Sequence, residues 1–169
     1  MITHLTSADF RVMPWANGKG TTVEMLRLER AGLLMLRLSR AMVVEDGPFS
    51  LFPEIERNLT ILSGPGFDLV GEGLLIHARP LVPVAFAGDV AVRAERVASP
   101  SEDFNVMSAR DLPRPRVWVQ QAGEAPSGAI LALTEGRIGG LSVARYDLVI
   151  SDLAMHHDAP VIVVQAEGL

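Results

Sequence analysis

The chain has 169 residues, 49% of them apolar, and a mean hydropathy of +0.27, enough to fill a core and too apolar for a disordered chain. A net charge of −5 offers no basic footprint for nucleic acid or an anionic membrane, and the absence of cysteine excludes disulfides, thiolate metal sites and cysteine nucleophiles. No apolar run reaches the roughly 20 residues of a membrane helix, and Met1–Phe10 lacks a basic and apolar leader pattern, so a cytoplasmic protein is expected.

In chain order, the first conspicuous stretch is "MPWANGKGTTVEMLRLER", residues 13–30. It is not a phosphate loop: Met13 stands where the first glycine of a Walker motif belongs, Lys19 is followed by Gly20, and the β-branched residues after it suit a strand. Residues 23–45 have helical composition, but Gly32 interrupts them. Leu34, Leu36 and Leu38 alternate with Met35, Arg37 and Ser39, which predicts two strands joined at Ala31-Gly32. Further short runs follow at 59–63, 81–86, 89–97, 117–122, 129–133 and 161–166, with Pro83 marking an edge strand or bulge. Turn signals between them recur about every 8–12 residues, the spacing of an all-β sandwich or barrel. "SPSED" at 99–103 is the best junction, which divides the chain into a first half, 1–103, and a smaller second half, 104–169.

Three blocks in order, "RVMPWANGKGTTVEM" (11–25), "LRLSRAMVVEDGPFSLFPEIERNLTILSGPGFDL" (36–69) and "FAGDVAVRAERVASPSEDFNVMSAR" (86–110), resemble the HutD/Ves family. The resemblance covers about the first two-thirds of the chain. It implies a cupin-type double-stranded β-helix with two fused, bicupin-like barrel halves, and a link to histidine utilisation. One departure is Gly18-Lys19-Gly20, where the family pattern has three glycines, which puts close backbone approach at Lys19 in doubt.

Candidate ligand-binding residues lie within these blocks. Trp15 and Asn17 are either a barrel plug and an Asn-Gly turn or a pocket lid. Arg37 and Ser39 share a face that is either solvated or a barrel interior; in the second case Glu24 on the preceding strand is positioned to neutralise Arg37. Thr21, Ser50 and Arg57 in or beside the flanking blocks, and Asn105 in "DFNVM", complete the set. If Arg37 is an unpaired cation in a barrel, Arg37→Met is expected to weaken binding of a carboxylate while leaving melting temperature unchanged or raised.

The histidines are His4, His77, His156 and His157. The last two are adjacent, so a strand would aim them to opposite faces, and "HHD" reads as a solvated turn. No metal site, cofactor or nucleophile-plus-base set is therefore expected. The first functional reading is a non-catalytic small-molecule-binding cupin with a regulatory or metabolite-buffering role in histidine or amino-acid catabolism, its partner a small carboxylated metabolite. Its alternatives are a metal-free isomerase or hydrolase, with Glu24 as base and Arg37 as electrostatic stabiliser, and a protein-interaction module without a ligand. A monomer and a homodimer are both open.

Overall fold

A computed structural model describes residues 1–169, and they form strands without helices. β1 (Ile2–Leu5) opens the chain. It is followed by β2 (Arg11–Pro14), β3 (Thr21–Arg30), β4 (Leu33–Val43), β5 (Gly47–Pro48) and β6 (Ile55–Ser63). Next come β7 (Phe67–Gly71), β8 (Leu74–Ala78), β9 (Val84–Ala87), β10 (Val92–Glu95) and β11 (Ser101–Ala109). Then follow β12 (Arg116–Gln120), β13 (Gly123–Ala125), β14 (Gly128–Ala132) and β15 (Gly136–Ile138). β16 (Leu141–Val143), β17 (Leu148–Ser151), β18 (Met155–His157) and β19 (Val161–Gln165) complete the chain. No helix is long and apolar enough to cross a membrane.

These strands form two compact units, Arg11–Leu112 and Met1–Phe10 with Pro113–Leu169. This corrects the division at residue 103. The Ser/Pro-rich "SPSED" has the composition of a linker, but Ser101 is buried, and its Oγ accepts the Gly66 N–H at 2.9 Å. Asp103 already lies inside β11, which pairs with β4 on one side and β6 on the other. At the other end, β1 pairs with β17, so the first ten residues belong with the last fifty-seven.

The 11–112 unit has a six-stranded sheet ordered β2-β3-β4-β11-β6-β9 and a four-stranded sheet ordered β5-β10-β7-β8. The hairpin at Ala31-Gly32 forms as its sequence predicts: both residues have positive φ, 50° and 77°, as a two-residue turn matched to strand twist requires. Pro83 directly precedes β9, and β9 is an edge strand, where a missing N–H costs no ladder bond. Odd-numbered residues of β4, β6 and β11 face inward. At one end Val43, Leu59 and Ile61 pack with Phe67, Leu69, Phe86 and Val92 in an apolar core. Toward the other end the inward residues become polar, and a cavity opens there.

The second unit repeats the plan with a five-stranded sheet, β1-β17-β14-β19-β12, and a four-stranded sheet, β13-β18-β15-β16. Its interior holds Ile130, Ile138, Val149, Met155, Val161 and Val163, against which Trp118 packs.

Candidate functional site

The cavity in the 11–112 unit measures about 460 Å³, within the range of small-molecule sites. Strand register builds its wall in rows. One row runs Arg27, Arg37, Met107, Arg57 and Phe86 across β3, β4, β11, β6 and β9. The next runs Glu24, Ser39, Asn105 and Leu59, and the third Thr22, Ala41, Asp103 and Ile61. The register shift between Glu24 and Leu26 makes Met25 an extra residue in β3, so Glu24 and Arg27 both come to the side of Arg37.

Arg37 is therefore an interior residue, 8% exposed, with its Nε donating to Glu24 Oε2 at 2.6 Å. Its Nη1 has only the Met107 sulfur, at 3.9 Å. One edge of the guanidinium is thus held by a carboxylate while the side chain lines the cavity. Arg57 is held differently. Its Nη2 donates to Asn105 Oδ1 at 2.7 Å, and its Nη1 reaches the Ser50 carbonyl at 3.5 Å. Its Nε has no partner. The rings of Phe49, Phe52 and Phe86 surround the guanidinium at 5.2, 5.4 and 5.0 Å. Burial lowers the Arg57 pKa to about 10, with Asp103 opposing that fall and Arg37 adding to it.

Asp103 is 1% exposed, and its Oδ1 accepts the Asn105 amide. Burial raises its pKa to about 7; Arg57 opposes the rise, Glu102 adds to it, and the Asn105 bond works against it. A carboxyl shifted this far by burial in a cavity makes Asp103 a candidate site residue.

The 15–20 segment, the candidate lid, is a tight loop. Trp15 N–H donates to the Gly20 carbonyl at 2.8 Å, and the indole Nε1 donates to Thr22 Oγ1 at 3.0 Å. Asn17 combines both readings of its dipeptide: its Oδ1 accepts the Lys19 N–H at 2.9 Å beside Gly18 at φ 70°, and the residue also lines the cavity. Lys19 points outward to Glu45 at 2.5 Å. Close approach falls instead on Gly20, where a Cβ would lie 2.9 Å from the Trp15 ring. Gly20→Ala should push the ring off its seat at a cost of about 1–3 kcal/mol, read as red-shifted Trp15 emission in a Trp118→Phe background. Unchanged emission and stability would mean the ring is not seated there.

Of the sequence candidates, Trp15, Asn17, Arg37, Ser39, Ser50, Arg57 and Asn105 line the cavity, and Glu24 stands behind Arg37. Thr21 does not; it is exposed, and strand alternation gives the inward position to Thr22. Asp103, Met107 and Phe49 were missed as site residues. Asp103 and Met107 share the two-residue period that singled out Asn105, and that signal was sufficient to find them. The composition of "SPSED" drew Asp103 into a linker instead.

The histidines do not converge, and no group of three or more potential metal-ligating side chains forms. "HHD" is not a turn throughout: His156 and His157 lie in β18. His156 is exposed. His157 is buried, its ring nitrogens 2.9 Å from the Ala159 carbonyl and 3.1 Å from Gln120 Nε2. His77 lies 2.8 Å from Asp68, and His4 2.8 Å from Asp147.

A family model described as HutD matches residues 7–157. The chain is 35% identical over 135 residues to an uncharacterized 21.2 kDa protein in the hutC 3′ region of Pseudomonas putida, covering 76% of this chain and 70% of that one. Among solved structures, HutD from Pseudomonas fluorescens SBW25 superposes with a TM-score of 0.85 at 26% identity, covering 99% of this chain and 100% of that one. A cupin 2 conserved barrel domain protein from Leptotrichia buccalis shares the fold at a TM-score of 0.59 and 7% identity, over 88% of this chain and 89% of that one.

Proposed function

We propose that this chain, which belongs to the HutD family, is a non-catalytic, small-molecule-binding cupin of the cytoplasm that senses or buffers a small carboxylated metabolite of histidine or amino-acid catabolism. The hutC-region name of the P. putida relative supports the metabolic context. The observation that carries the binding role is the half-used Arg37 guanidinium: Glu24 fixes its Nε edge, Nη1 meets only the Met107 sulfur, and the side chain lines the cavity. A planar fork held this way suits a carboxylate, because two parallel N–H···O bonds fix both position and orientation. Aromatic and apolar side chains of Trp15, Phe49 and Met107 line the cavity beside it.

The test is a thermal-shift and calorimetric screen of histidine, urocanate, formiminoglutamate, formylglutamate and glutamate. At least one should raise the melting temperature saturably, with Arg37→Lys weakening the response. Absence of any saturable shift would overturn the reading. A second reading, a metal-free enzyme, draws support from Asp103, whose pKa near 7 suits a general acid or base. Glu24, the base suggested by sequence, is committed to Arg37. Turnover of any of the five compounds by pure protein would favour this second reading.

A further inference from the structure

The charges around the cavity balance in pairs. Arg37 is matched by Glu24, and Glu24 is held a second time by Arg27, whose Nη1 lies 3.6 Å from the same Oε2. Arg57 is matched by Asp103, but only through the amide of Asn105, which accepts from Arg57 and donates to Asp103. Asp103 lines the cavity, and no protein group bonds its Oδ2. Accepting the reading of this cavity as a carboxylate site, an entering anion adds a negative charge to a wall whose charges already balance, beside a carboxyl that is itself buried. Such a charge is costly unless another carboxylate gives up its own.

We infer that Asp103 is the specificity-determining group of this cavity: it admits an anion together with a proton, which settles on Asp103 Oδ2 and turns that carboxyl from an acceptor into a donor. The proton comes from solvent and no other bond changes. Glu24 is the wrong recipient, because two guanidiniums hold its charge in place. Asp103 is the right one, because no cation touches it directly and its pKa already stands near 7.

The groups facing Asp103 are few. On β4 they are Ala41 and Ser39, with Arg37 one row further; on β6, Ile61 and Arg57; on β3, Thr22 and Glu24. Its neighbour Glu102 is occupied by Arg40 at 2.8 Å. The lid and the 48–52 loop contribute no charged side chain to the cavity. Protonated Asp103 leaves the cavity presenting donors, the pattern that selects an oxyanion over an ammonium group.

The test has a ligand-free arm and a ligand arm. In the ligand-free protein, the Asp103 carboxyl carbon, followed by NMR, should titrate near neutrality. An ordinary carboxylate titration would overturn the inference and leave the cavity's anion reading standing. In the ligand arm, glutarate is titrated calorimetrically between about pH 6 and about pH 8.5, in buffers of different ionisation enthalpy. Binding should take up close to one proton above neutrality, with affinity falling about tenfold per pH unit there and levelling below it. Asp103→Asn should bind glutarate without proton uptake and without that slope. Binding by the parent protein with no proton exchange would overturn the inference alone. If neither protein binds glutarate, both the inference and the anion reading fall. Should the variant not fold, proton counting and NMR on the parent protein still decide the question.

Discussion

Replacing Arg37 with Met should destabilise the protein by about 3–5 kcal/mol, the cost of stranding one partner of a buried ion pair. An unpaired Arg37, one of the possibilities the sequence leaves open, predicts instead a neutral or stabilising change. The structure reverses the sign. Glu24 is 8% exposed, and without Arg37 it keeps only Arg27, 3.6 Å away on a side chain 44% exposed. The double variant Glu24→Gln/Arg37→Met removes both charges and should recover most of the loss, as replacing a whole buried pair often costs little. Arg37→Lys keeps a charge near Glu24 and should fall between. Urea midpoints of the parent, Glu24→Gln, Arg37→Met and the double variant form a double-mutant cycle that isolates the pair. Equal midpoints for the parent and Arg37→Met would show that the pair contributes nothing. Ligand affinity is a separate readout: losing the fork should weaken carboxylate binding about ten- to a hundredfold. The double variant, with its stability restored, is the cleaner protein in which to measure that loss.

Much of this architecture is legible in local patterns. Leu34 to Ser39 alternates strictly, and that was enough to find β4, its two faces and the hairpin before it. Alternation left open which face of β4 encloses a cavity, and the HutD blocks implied a barrel without choosing the face; burial of Arg37 and Ser39 settles it. Three features lay beyond a linear reading. The extra residue at Met25 shifts the phase of β3, so the distance along the chain from Glu24 to Arg37 does not reveal their 2.6 Å contact. The same two-fold phase decides against Thr21: the exposed threonine directly precedes the one that holds the Trp15 indole. The unit boundary was hidden because β1 returns to pair with β17, a contact across most of the chain that no local composition signals. Asp103 failed for the opposite reason. Its pattern was visible, and the Ser/Pro composition before it suggested a linker where a central strand begins.

Asp103 should also make the ligand-free protein less stable at about pH 8 than at about pH 5, the reverse of what an ion-paired carboxylate does. Its folded pKa, about 7, lies above the ordinary value of 3.8. Below 3.8 both folded and unfolded chains hold the proton, and the stability linked to this group is fully present. As pH rises from there, the unfolded chain releases its proton while the folded chain keeps it. Stability then falls by about 1.4 kcal/mol per pH unit and levels off once the folded group ionises, a total of about 4 kcal/mol. Attraction to Arg57 does not prevent this, because burial outweighs it. Asp68 and Asp89 are shifted the other way, lowered chiefly by hydrogen bonds from His77 and Arg110 respectively. Their stabilisation is present above 3.8 and lost below it, so it lies outside this window. Asp103→Asn reproduces the protonated shape without the charge. Its urea midpoint should be nearly level from about pH 5 to about pH 8 and should exceed the parent's at the upper end. A parent midpoint that holds or rises across that range would show that Asp103 ionises with little penalty. A fall of equal size in both proteins would assign the dependence to another group.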